Sequence, residues 1–239
     1  MKIAIIIPTY NEKESIEKVI DIILGLAIDG LEAIVVDDNS PDGTSDIVRG
    51  LKSFDSRVHL ICRSRKMGLG TAYLEGFRYA IECGADYLFE MDADLSHDPR
   101  QISLFLSHMD RNDLVIGSRY VLAGRIDNWN MRRRFVSSFG NLYARLILGL
   151  AVRDLTTGYK CYRRQVVEHL MRKDIDAVGY VFQIETTHYA IKGNFRVKEI
   201  PIIFTERRLG KSKFNFNIIW ESFWKVLKLR LINSRNNKI

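Results

Sequence analysis

Apolar residues along this chain gather in short blocks. Ile3–Ile7, Ala33–Val36, Val58–Ile61, Tyr87–Met91 and Leu114–Ile116 are brief runs with little polar interruption. Runs of this length suit parallel strands buried on both faces. Between them lie longer stretches with apolar residues at helical spacing: Glu12–Leu26, Ser45–Phe54, Thr71–Cys83 and Gln101–Asp110. Strand and helix in alternation predict an open, mostly parallel α/β sheet. The second half is less regular. Arg132–Leu150 reads as an amphipathic helix, Cys161–Val167 and Val197–Phe204 as strands, and Asn217–Ile232 as a C-terminal amphipathic helix.

Polar residues follow every predicted strand. Pro8-Thr9-Tyr10-Asn11-Glu12 comes after the first, Asp37-Asp38-Asn39-Ser40-Pro41-Asp42-Gly43-Thr44 after the second, and Arg63 to Gly70 after the third. Asp92-Ala93-Asp94 follows the fourth and Ser118-Arg119-Tyr120 the fifth. In open α/β sheets ligands bind beyond the carboxyl ends of the strands. Solubility alone does not call for carboxylates and glycines at each of these loops.

Asp92 and Asp94 carry the sharpest chemistry. At a strand end both carboxylates can turn toward one ion, and hard oxygen ligands suit Mg²⁺ or Mn²⁺. Such an ion neutralises charge on a departing nucleoside diphosphate. A lone Asp-x-Asp is weak, because loop carboxylates often only face water. Its place after the fourth strand gives it weight, and Ser96 or Asp98 could assist through water. Asp38 suits a base or ribose, while Asp42 suits the turn. Gly68-Leu69-Gly70 lacks both the third glycine of a dinucleotide fingerprint and the Gly-Lys-Ser/Thr ending of a P-loop.

Cations concentrate later: Arg119, Arg132, Arg133, Arg134, Arg207, Arg208, Lys211 and Lys213. Arginine binds phosphate through paired hydrogen bonds, although a charge run is usually a solvated helix face. Arg207 and Lys213 flank Gly210 in a segment too polar for a core, which reads as a loop able to fold over a diphosphate. The five histidines are dispersed and read as structural.

Composition narrows the class. The 239 residues are 46% hydrophobic, enough for one sizeable core. A net charge of +7 suggests an anionic partner: nucleotide phosphates, nucleic acid or an acidic membrane surface. Nucleic acid is disfavoured, since the cations lack interleaved aromatics and no helix-turn-helix or RNA-binding signature appears. Three scattered cysteines, Cys62, Cys83 and Cys161, read as reduced thiols of a cytoplasmic protein. The N-terminus has no signal-peptide pattern. No run of about 18 uncharged apolar residues occurs, so no transmembrane helix is expected.

Taken in order, PTYNE, VVDDNSPDGT, GLGTAY, DADLSHDP, GSRY, DLTTGYKCYRR, GYVFQIE and RRLGKSK resemble family-2 glycosyltransferases of the dolichol-phosphate mannose synthase type. The likeness runs from Ile3 to about Leu231. It implies one GT-A (Rossmann-like) domain over residues 1–215, followed by a C-terminal amphipathic helix over 216–239. It implies inverting transfer of mannose from GDP-mannose to dolichyl or another polyprenyl phosphate, with Mg²⁺ or Mn²⁺. By motif match, Pro8, Tyr10, Glu12, Val36 and Asp38 would hold the nucleoside, and Asp92, Ala93 and Asp94 the diphosphate and metal. Arg119, Arg207 and Lys213 would contact donor phosphates or sugar, and Arg132, Arg134 and Ser137 the lipid phosphate. Asp94, Arg119, Arg132 and Arg134 are the catalytic candidates. Longer members carry membrane spans after the position of Leu231. Their absence here implies the short type, peripheral on the cytoplasmic face of a membrane, with a small membrane-anchoring subunit as a further partner.

No Ser-His-Asp or Cys-His arrangement stands out in the sequence, and this chemistry needs no such base. A sugar hydroxyl acceptor needs deprotonation, whereas a phosphate monoester with a second pKa near ~6 is already a nucleophile at neutral pH. Two other readings stand beside this one: a UDP-sugar donor giving glucosyl or N-acetylhexosaminyl lipid phosphate, and a non-catalytic basic module binding lipid or nucleic acid. In the C-terminal helix, Ile219, Trp220, Phe223, Trp224, Val226, Leu227 and Leu231 form an apolar stripe opposite Glu221, Lys225 and Lys228. That stripe is expected either at the membrane interface or against the protein's own core.

Overall fold

The computed structural model describes residues 1–129, 131–175, 179–205 and 223–231, without the side chains of Arg132 and Tyr180. The chain alternates as expected through β1 (Ile3–Thr9), α1 (Ile16–Leu24), β2 (Leu31–Asp37), α2 (Thr44–Phe54), β3 (Val58–Cys62), α3 (Leu69–Glu82) and β4 (Tyr87–Glu90). Then come α4 (Ile102–Met109), β5 (Leu114–Ser118), β6 (Arg125–Asp127), α5 (Met131–Leu148), β7 (Lys160–Arg163), α6 (Arg164–Leu170), α7 (Tyr180–Lys192), β8 (Val197–Pro201) and β9 (Ile203–Thr205). Residues 223–231 form a last helix, α8.

Seven strands make one sheet in the order β3-β2-β1-β4-β7-β5-β8. All neighbours run parallel except β7, which is antiparallel to β4 and β5. The apolar runs are explained by the two faces. Ile3, Ile5 and Ile7 of β1 enter the core under α1, α2 and α4. Ala4 and Ile6 enter the core shared with α3, α5, α6, α7 and α8. A Cβ at Gly76 would meet the Ile6 side chain at 2.5 Å, so glycine is what lets α3 lie this close to β1. Strand order reverses between β1 and β4, which opens a ligand crevice beyond their carboxyl ends.

The second half departs from expectation. The strand predicted over Cys161–Val167 ends at Arg163, and Arg164 starts a helix instead. Lys160, Cys161 and Tyr162 pair with both β4 and β5, Arg163 pairs with Tyr87 of β4, and the backbone turns once it passes Tyr87 and Leu114. The strand predicted over Val197–Phe204 is two strands, because Ile202 leaves the main sheet and β9 pairs with β6. Neither β6 nor α7 was anticipated as an element.

Candidate active site

The first three loops are laced together at the crevice. Asn11 N–H donates to Ser40 Oγ (3.0 Å), Glu12 N–H to Thr44 Oγ1 (3.0 Å) and Lys13 N–H to Asp42 Oδ2 (3.1 Å). Asp42 also accepts from the backbone and hydroxyl of Thr44, so its role in the turn holds. Asp37 accepts from the hydroxyls of Thr9 and Ser40. Asp38 is buried and engaged: Arg63 pairs with Oδ1 at 2.7 Å, while the N–H groups of Met67 and Gly68 donate to Oδ2. Asp38 therefore anchors the third loop to the second. Arg63, buried after β3, is a site-building residue that the sequence placed in the third loop without marking a role for it. Val36 is buried one residue before this pair, and Lys66 Nζ lies 4.0 Å from the Tyr10 ring centroid. Pro8, the next-to-last residue of β1, is half-buried and is the Cα partner of Val36.

Asp92 and Asp94 sit at the mouth of the crevice, just past β4. Leu95 takes a positive φ of 61°, uncommon for a branched side chain. This kink folds Ser96 back, and its N–H and hydroxyl both donate to Asp94 Oδ1 (3.0 and 2.5 Å). Ser96 thus acts on Asp94 directly, and Asp98 caps the short helix Pro99–Gln101 through Arg100 N–H. Ala93 is buried between the carboxylates. Beneath them His97 is buried, accepts the N–H of Asp92 at Nδ1 (3.2 Å) and stacks on Tyr159 with ring centroids 4.9 Å apart. Burial holds His97 neutral, its pKa pushed down to about 4. A Cβ at Gly158 would lie 3.5 Å from Asp92 Oδ1 and 3.4 Å from Gln183 Nε2, so the loop before β7 closes on the carboxylates.

Behind this edge lies a buried polar layer that no local sequence pattern marks. Glu90 and Lys160 are Cα partners across β4 and β7 and are both fully buried. Lys160 Nζ donates to the Gln183 carbonyl (2.8 Å) and to Thr186 Oγ1 (3.1 Å), and Tyr162 donates to Glu90 Oε1 (2.8 Å). Burial raises the Glu90 pKa and lowers that of Lys160 to about 8.

Of the predicted cations, Arg119, Arg133 and Arg134 have described side chains. Arg119 is buried and held by Asp154 through Nε and Nη2, both at 2.7 Å. The hydroxyl of Thr156 accepts a further bond from it. Ser137 accepts from the Tyr120 hydroxyl (2.8 Å), which ties α5 to the loop after β5. Arg134 donates to the Ile126 carbonyl, and Arg133 lies 4.3 Å from the Trp129 ring centroid. The side chain of Arg132, and Arg207, Arg208, Lys211 and Lys213 entirely, lie outside the described residues. Thr205, the last described residue before that segment, donates its N–H to the Ser96 carbonyl (3.3 Å), next to Asp94.

Among the described residues no group of three or more His, Cys, Asp or Glu could by itself hold a metal ion. The donor set still fits Mg²⁺ or Mn²⁺: two carboxylates at the rim, with room for oxygens from a diphosphate to complete the shell.

Glycosyl transferase family 2 matches by its sequence profile over residues 4–171. A polyprenol monophosphomannose synthase of Mycolicibacterium smegmatis is 45% identical over 224 residues, covering 93% of this chain and 84% of that protein. An undecaprenyl-phosphate mannosyltransferase of Micrococcus luteus is 42% identical over 231 residues, covering 95% and 93%. Among solved structures, glucosyl-3-phosphoglycerate synthase from Mycobacterium tuberculosis, in complex with Mn²⁺, UDP-glucose and phosphoglyceric acid, superposes with a TM-score of 0.68. It does so at 18% identity over 96% of this chain and 79% of its own. A mannosyltransferase from Pyrobaculum calidifontis with GDP-mannose and Mn²⁺ gives 0.59 at 19% identity, over 88% and 58%. These structures share the GT-A fold. The family profile runs through each of the first four loops of the sheet edge and on through β7 and α6, and the chain belongs to glycosyl transferase family 2.

Proposed function

We propose that this glycosyltransferase moves mannose from GDP-mannose to dolichyl or another polyprenyl phosphate, at the cytoplasmic face of a membrane. The observation that carries the acceptor class is the join between the catalytic edge and an exposed apolar helix. Ser137 of α5 bonds Tyr120 beside Arg119, and the same helix exposes Phe135 (73%), Phe139 (59%) and Leu146 (73%). A phosphate bound near Ser137 would have its hydrocarbon chain lead away along that stripe. The two relatives at 45% and 42% identity, both named for mannose and a polyprenyl acceptor, support the same reading.

In this reading the acceptor phosphate oxygen attacks the anomeric carbon as the bond to the diphosphate breaks, which inverts an α-linked donor to a β-linked product. Asp92 and Asp94 would hold the divalent ion, which supplies positive charge to the leaving diphosphate. Pro8, Tyr10, Glu12, Val36 and Asp38 would form the nucleoside end. Arg119, Arg207 and Lys213 would bind donor phosphates or sugar, and Arg132, Arg134 and Ser137 the acceptor phosphate. No protein base is required, because the acceptor is already an anion. A small membrane subunit could share the anchoring. No described helix is long and apolar enough to cross a membrane. The test is a donor panel of GDP-mannose, UDP-glucose and UDP-N-acetylglucosamine with a polyprenyl phosphate and Mn²⁺. Mannolipid should form from GDP-mannose alone. Faster turnover of a UDP-sugar, or no lipid product from any donor, overturns the assignment.

A further inference from the structure

An open groove of about 400 Å³ runs along α5, lined by Tyr120, Ser138, Asn141, Leu142, Arg145 and Arg153. One end meets the catalytic edge, since Tyr120 also bonds Ser137. The other end holds two guanidinium groups. Neither Arg145 nor Arg153 has a carboxylate partner among the described residues, and Arg145 Nε is buried without a hydrogen-bond partner. Of the carboxylates beside Arg153, Glu199 accepts from the backbone N–H groups of Arg153 and Asp154, and Asp154 is paired with Arg119. The last turn of a helix favours a cation, which accounts for Arg145 in part but not for Arg153. Leu142 belongs both to the groove and to the exposed stripe with Phe139 and Leu146. The groove therefore offers two cations without a carboxylate partner among the described residues, beside an apolar face, complementary to a phosphate carrying hydrocarbon. Arg145 lies eight residues beyond Ser137, roughly 12 Å along the helix axis. That is too far for the same phosphate that reacts at the catalytic edge.

We propose that the Arg145–Arg153 end of this groove binds the headgroup phosphate of an anionic bilayer phospholipid and sets α5 on the membrane next to the active site. The inference rests on the membrane location proposed above. Co-sedimentation with vesicles of phosphatidylcholine alone, and with vesicles one-third phosphatidylglycerol, tests it on the full chain. Arg145→Gln/Arg153→Gln should weaken binding to the anionic vesicles about 30-fold and Arg153→Gln alone about 5-fold. Binding of both variants to neutral vesicles should stay unchanged. Arg153 is exposed, so the single variant remains informative if the double variant does not fold. Lys18→Gln/Lys52→Gln, on the exposed faces of α1 and α2, removes the same charge elsewhere and should change little. Equal losses in that control, or no loss in Arg153→Gln, overturn the headgroup site while the membrane reading stands. A wild-type chain that binds neither vesicle overturns both.

Discussion

Helices α3 and α5 contribute to the same core yet treat their aromatic residues in opposite ways. In α3, Tyr73 and Phe77 are buried against the sheet, and Gly76 lets the helix backbone approach β1. In α5 only Ala144 and Leu148 are fully buried in that core, while Phe135 and Phe139 stack on one another in the open. Burial of apolar surface stabilises at roughly 25 cal/mol per Å². A helix that leaves such residues out forgoes that gain within the chain, and contiguous exposed apolar surface marks an interaction site. The loops around the two helices differ in the same sense. Those preceding α3 are locked to each other by buried carboxylates, whereas α5 is joined to the catalytic edge through Tyr120, Ser137 and Asn141. In the function proposed above, the α3 side would hold the donor and the α5 side would face whatever carries the acceptor.

The largest expected effect tests the platform. Asp94→Ala should lower transfer about a thousandfold or more by removing a carboxylate proposed to hold the divalent ion, with the fold intact by circular dichroism. Near-normal turnover in metal-replete buffer would separate the crevice from the chemistry. Next, Phe77→Ala should cost about 3–5 kcal/mol in urea unfolding, and Phe139→Ser no more than about 0.5 kcal/mol. Similar costs at the two positions would erase the contrast between the helices.

Two smaller effects probe the join between the two sides. Asp154→Ala leaves the buried Arg119 without its bidentate carboxylate and should cost about 3 kcal/mol. If unfolding is unchanged, Arg119 is held by other contacts. His97 contributes a pH dependence. Its unfolded imidazole takes a proton near pH 6.5, but burial delays this to about 4 in the folded chain, against the opposing pull of Asp94 and Asp154. The unfolded state therefore holds more protons in that window, and stability falls as the pH drops through it. Wild type should lose on the order of 1 kcal/mol per pH unit more than His97→Gln between these limits. Parallel pH profiles for the two proteins would show that His97 does not stay neutral under Asp92.

Much of the site was legible because it sits where strands end. Asp92, Asp94, Asp38 and Asp42 follow apolar runs, and period and turn chemistry place them on one edge. Arg63 and His97 were harder to read. Each is a polar residue whose role depends on burial among neighbours far away in sequence, and no local spacing marks it. The C-terminal stripe shows the same limit. Val226 and Leu229 turn into the core and Phe223 stacks on Tyr143, while Trp224 and Leu231 face outward. Ile219, Trp220 and Glu221 lie outside the described residues. Helical periodicity groups the apolar residues of this segment, but packing on α5 selects which of them are covered.

Alternation of apolar runs and amphipathic stretches was enough to determine an α/β sheet with a polar carboxyl edge, because strand and helix periods are local properties of the chain. Tertiary structure decided what required two distant segments to meet. It reversed β7 between β4 and β5, put Lys160 opposite Glu90, and closed Gly158 over Asp92. It also left the aromatic face of α5 outside the core. A residue's period fixes the face it occupies, and only the packed chain fixes what that face meets.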